Sequence, residues 1–101
     1  MRVIVFFDLP TKTDAERKIY RLFRRSLLKE GFLMIQESVY VRIATNHESA
    51  RFIENRVGSL SPDVGTVQSL IVTEKQYASM KFLSGEPSGD IRNLDTGTVV
   101  I

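Results

Sequence analysis

Residues 2–8, Arg-Val-Ile-Val-Phe-Phe-Asp, set the terms on which the rest of the chain folds. The β-branched and aromatic residues Val3 to Phe7 offer no polar face to water. The run therefore reads as a strand covered on both faces, in the middle of a sheet. Leu9-Pro10 ends it, because proline brings no amide to a ladder and holds the residue before it extended. Such a strand needs partners on both edges and layers above and below. With 101 residues, 43% of them apolar, the chain has material for one packed core and not for two domains.

The partners can be read in order. Thr13 and Glu16 form a T-x-x-E capping box, followed by Ile19, Leu22, Phe23 and Leu27 at the spacing of one helix face. Gly31 is the expected left-handed stop. From Phe32 to Ile43 the period shortens to that of one long strand or of two short strands with a kink near Glu37-Ser38. Thr45 and Glu48 repeat the capping box, and Ala50, Ile53, Val57 and Leu60 supply the stripe of a second helix ending near Gly58 to Leu60. A turn at Ser61-Pro62-Asp63 leads to a strand over 65–73, and Thr73 with Gln76 caps a short third helix through about Met80. Residues 85–90 read as a loop, and Thr98–Ile101 as a lone β-prone tail that is worth little unless it joins a sheet edge. The order places two helices on one face of a mainly antiparallel sheet. That is an α+β, ferredoxin-like βαββαβ sandwich over 1–84 with a short C-terminal helix, then a variable loop and tail strand over 85–101.

Composition removes several chemistries. With no cysteine there is no disulfide framework and no thiolate metal site, and a single histidine cannot by itself supply a zinc cluster or a His-based triad. No apolar run approaches the roughly 20 residues of a membrane span, and Val3 to Phe7 is too short for a signal-peptide core. The expected compartment is the cytoplasm, with no membrane partner.

The net charge of +2 says little, but its distribution says more. Residues 1–30 carry eight basic side chains against four acidic ones. On the first helix Arg17, Arg21, Arg24 and Arg25 fall at i, i+4, i+7 and i+8, a stripe displaced from the apolar one and flanked by Lys12, Lys18 and Lys29. A solvated helix back is the ordinary reading of such charge. Four arginines without an i+4 carboxylate among them repel one another, and that cost is relieved if phosphates neutralise the row. Contacts of this kind hold a duplex without reading its sequence, which makes double-stranded DNA the expected ligand of Lys12, Arg17, Lys18, Arg21, Arg24 and Arg25. Asp8, at the C-terminal end of the central strand, is brought to the sheet rim, where a carboxylate can reach a divalent ion. One carboxylate alone is a poor Mg²⁺ site, and a two-fold axis beside Asp8 would double it. His47 reads as a surface or capping residue, and Tyr20, Tyr40 and Tyr77 as edges of the core. The Gly-Phe-Gly/Ala-Phe signature of the RNA-recognition motif is absent.

Several segments together resemble one family. They are residues 2–11, the helix 16–25, Gly31-Phe32, Gln36-Glu-Ser-Val-Tyr40 and Val72-Thr-Glu-Lys-Gln-Tyr77. In this order they are similar to the CRISPR-associated protein two family, the small universal partner of the CRISPR integrase, and most to its type II branch. The resemblance spans about residues 1–83. It implies a homodimer held between two integrase dimers in CRISPR adaptation (spacer acquisition). It also implies a Mg²⁺-dependent endonuclease activity described for many members, with Asp8 as the catalytic and metal-binding residue. Outside the family, the alternative is a ferredoxin-like regulatory or RNA-binding module.

Overall fold

The computed structural model describes residues 1–86. The chain runs β1 (Arg2–Asp8), α1 (Asp14–Lys29), β2 (Leu33–Gln36), β3 (Val39–Ile43), α2 (His47–Leu60), β4 (Thr66–Val72) and α3 (Glu74–Ala78). The strands form one antiparallel sheet in the order β2-β3-β1-β4, the ferredoxin-like arrangement expected from the element order. The expected tail strand at Thr98–Ile101 and most of the 85–90 loop lie outside the described residues.

β1 is central because its neighbours satisfy both of its edges. Arg2 to Phe6 pair with Ile43 to Val39, and Arg2 to Asp8 pair with Val72 to Thr66. Alternation then sends Val3, Val5 and Phe7 to one face, where they meet Phe23 and Leu27 of α1 and Ala50, Ile53 and Val57 of α2 in the main core. Phe7 anchors this layer, edge-on to Phe23 at 5.1 Å and to Tyr20 at 5.6 Å, and stacked on Tyr40 at 5.6 Å.

The second face of β1 is covered as expected at Arg2 and Ile4 and opens from Phe6 to Asp8. It is only partly covered, by α3, which is fixed by the buried Arg2: its Nε donates to both Glu74 oxygens at 3.0 and 3.2 Å and its guanidinium lies 4.1 Å from the centre of the Tyr77 ring. Beyond α3 the face is apolar and open, with Leu33, Ile43 and Leu70 exposed at 46, 63 and 51%.

Local signals behave as their chemistry dictates, with two shifts. The boxes Thr13/Glu16 and Thr73/Gln76 cap α1 and α3. The second helix is capped by Asn46, whose side chain accepts from the Ser49 amide at 2.8 Å, and not by Thr45 with Glu48. Asparagine outranks threonine as a cap, and the extended Asn46 is one residue closer to the helix. The third helix ends at Ala78, short of Met80. Leu22, placed in the apolar stripe of α1, is 46% exposed, because Phe23 and Leu27 fill the contact with the sheet.

Candidate functional site

The arginine stripe forms on the exposed side of α1, but its members do different work. Arg17 Nη1 donates to the carbonyls of Thr11 and Lys12 at 3.0 Å each, and Nη2 pairs with Asp14, three residues back rather than four ahead. Glu16 Oε1 meanwhile accepts from the Lys12 and Thr13 amides at 3.0 and 2.9 Å. Arg17 is therefore a clamp on the β1–α1 connection. Arg24 stands beside the buried Tyr40 hydroxyl, which burial pushes above its ordinary value while the guanidinium pulls it back. Among the described residues Lys12, Lys18, Arg21, Arg24 and Arg25 have no ion-pair partner; the last four leave an exposed cationic row along the helix, and Lys12 precedes it.

Asp8 lies at the other side of the same rim. By register it pairs with Thr66 and shares the open face with Ile4 and Phe6, whereas α1 packs on the opposite face. The structure thus does not bring Asp8 and the arginines into one cavity. It brings both to the β2–β3 turn, where the predicted kink falls at Glu37-Ser38 and Ser38 takes a φ of +66°. On the α1 side a cavity of about 420 Å³ is lined by Arg17, Tyr20, Arg21, Thr11, Glu37 and Ser38. On the Asp8 side a cleft of about 280 Å³ is lined by Asp8, Glu37, Ser38, Thr66 and Gln68 with Phe6.

No pattern in the sequence pairs Glu37, Ser38, Thr66 or Gln68 with Asp8. Thr66 and Gln68 reach it only through the β1–β4 register, which no local pattern reveals. The kink at Glu37-Ser38 was the available signal for the other two. Gly65 lets β4 start this close: a Cβ there would lie 2.5 Å from the Asp8 carbonyl oxygen, and its φ is +74°. All polar groups in the cleft offer oxygen, among them two carboxylates, a donor set that suits Mg²⁺ completed by waters. No group of three or more His, Cys, Asp or Glu able to hold a metal is present among the described residues.

The fold and these features define a class: a small ferredoxin-like domain with a cationic helix along one layer and a carboxylate at the rim of its central strand. The family model described as "CRISPR associated protein Cas2" matches residues 1–80. The chain is 52% identical to the "CRISPR-associated endoribonuclease Cas2" of Ligilactobacillus salivarius and 50% identical to that of Lacticaseibacillus rhamnosus, over the full length of each. It is 44% identical to the protein of the same name from Streptococcus mutans, covering all of this chain and 93% of the relative. The crystal structure of Streptococcus pyogenes Cas2 superposes with a TM-score of 0.62 at 21% identity, covering 83% of this chain and 100% of that one, a likeness of fold. The chain belongs to the CRISPR associated protein Cas2 family, and its role is CRISPR-associated.

Proposed function

We propose that the chain is the DNA-holding subunit of CRISPR spacer acquisition, a cytoplasmic homodimer that seats double-stranded DNA along α1 and docks between dimers of the CRISPR integrase. The observation that carries the reading is the exposed row Lys18, Arg21, Arg24 and Arg25, which has no ion-pair partner among the described residues. Charges left in a row on one helix repel, and a phosphate backbone relieves that repulsion by displacing its own counterions. Family membership supports the integrase partner. The open apolar face of the sheet supports a second copy of the chain.

A second activity has its own support. Asp8 and Glu37 line one cleft of oxygen donors, and the relatives carry the name endoribonuclease. These two carboxylates would hold Mg²⁺, which supplies Lewis acidity at a phosphodiester and a more acidic bound water. The chain's own part is to fix the carboxylates at the rim. Ser38 and Thr66 line the same cleft and add hydroxyl oxygens to it.

One experiment addresses both. Duplex affinity is measured across a salt titration for the wild type, for Arg21→Ala with Arg25→Ala, and for Asp8→Asn, with Mg²⁺-dependent cleavage of RNA and DNA followed in parallel. The arginine pair is expected to flatten the slope of log K against log salt by about 1.8, or roughly 0.9 for each phosphate contact. Asp8→Asn is expected to keep binding and lose cleavage. An unchanged slope at full affinity would place the nucleic acid elsewhere, and equal cleavage by Asp8→Asn would remove the nuclease.

A further inference from the structure

We infer that the Glu37–Ser38 turn seats a backbone phosphate at the point where a bound strand crosses the sheet rim, from the α1 cations to the Asp8 cleft. The inference rests on the nucleic-acid reading above and adds a site to it, built from Ser38, Tyr20 and Arg21.

Three observations converge on this turn. The two cavities are otherwise lined by different residues, yet both include Glu37 and Ser38, so a chain of phosphates running from one to the other passes over this turn. The turn is also fixed in place: the Phe7 amide donates to the Ser38 carbonyl at 3.0 Å, immediately before Asp8, and Ser38 holds a left-handed φ of +66° that a non-glycine residue adopts at a cost. Glycine would satisfy that backbone more cheaply, so replacing Ser38 by glycine removes the hydroxyl without straining the turn.

The third observation is chemical. Ser38 Oγ and Tyr20 Oη lie 3.0 Å apart, and one hydroxyl hydrogen suffices for the bond between them. The other O–H has no protein acceptor among the described residues and lines the cavity that Arg21 also lines. One free hydroxyl donor beside a guanidinium without an ion-pair partner is a recognition pair for a phosphate oxygen, the first giving direction and the second charge. Glu37 lines both cavities, and the cations Arg17 and Arg21 of the α1 side offset its charge there.

Hydroxyl and arginine contributions separate by their salt dependence. A neutral donor displaces no counterion, whereas each arginine does. Binding of a fluorescent short DNA duplex is therefore measured across a salt titration for Ser38→Gly, Tyr20→Phe and Arg21→Ala, together with the melting temperature of each. Ser38→Gly is expected to melt no lower than wild type, since glycine accepts the turn, and to bind about tenfold more weakly, the worth of a hydrogen bond to a charged group, with the slope unchanged. Tyr20→Phe is expected to weaken binding with the same unchanged slope, and Arg21→Ala to lower the slope by about 0.9. Wild-type affinity in Ser38→Gly alongside a lowered slope in Arg21→Ala would overturn the phosphate seat while leaving the cationic row in place. Wild-type behaviour in all three would overturn both.

Discussion

Tyr40 shows how a single side chain links the core to the candidate surface. Its ring is fully buried and stacked on Phe7, and its hydroxyl lies beside Arg24, a member of the cationic row. Burial raises the pKa of the phenol above its ordinary 10.0, and the guanidinium only partly opposes this. The folded state therefore keeps the proton at a pH where the unfolded chain has lost it. The stability this group contributes is complete below about pH 10 and declines as pH rises through the folded value. Urea midpoints of the wild type and of Tyr40→Phe, followed from neutral to alkaline pH, should shift against the wild type above pH 10, because only the wild type has a buried phenol to ionise. A constant gap would show that the phenol titrates alike in both states. Arg17 makes the complementary point, since a residue that reads as part of a phosphate-binding stripe is occupied by two loop carbonyls and Asp14.

The elements were legible wherever one residue's chemistry decides them locally. β1 announces itself through Val3 to Phe7, α1 through Thr13 and Glu16, and the β2–β3 kink falls where the periodicity breaks, at Glu37-Ser38. What depends on two distant segments was not legible. The β1–β4 register brings Thr66 and Gln68 beside Asp8, and the Asn46 cap won a competition that a T-x-x-E pattern alone does not show. Gly65 belongs to this second kind. In the sequence it reads only as the first residue of the strand over 65–73, but its absent side chain is what lets β4 start against the Asp8 and Leu9 backbone. Gly65→Ala would meet the Asp8 carbonyl oxygen at 2.5 Å with φ at +74°, where a Cβ is disfavoured. The expected cost is about 2–4 kcal/mol, the sum of left-handed strain and overpacking against backbone that cannot retreat. A denaturant midpoint equal to wild type would mean that the β4 start is free to shift.

For the whole molecule, the distribution of apolar surface separates two roles. The helical layer closes the core on one face of the sheet, while the opposite face keeps a groove of about 520 Å³ between α3 and the strands, lined by Ile4, Phe6, Ile35, Val39, Leu70 and Tyr77 among others. Leu33, Ile43 and Leu70 stand exposed beside or within it. A domain of this size buries a limited core, and an apolar face of this extent is stabilised by burial against a complementary one, for which a second copy supplies the same residues by symmetry. That arrangement would also bring two Asp8 residues, which lie on this face, toward a shared axis. Leu70→Asp discriminates, because Leu70 is already 51% exposed in one chain. In an isolated domain the change costs little, whereas in a face-to-face dimer it buries an unpaired carboxylate at the interface, a cost of several kcal/mol. Sedimentation is expected to show a dimer for the wild type and a folded monomer for Leu70→Asp, with the melting transition retained at a lower temperature. A dimer that persists in Leu70→Asp would move the interface off this face and leave each Asp8 cleft to hold its cation with Glu37 alone.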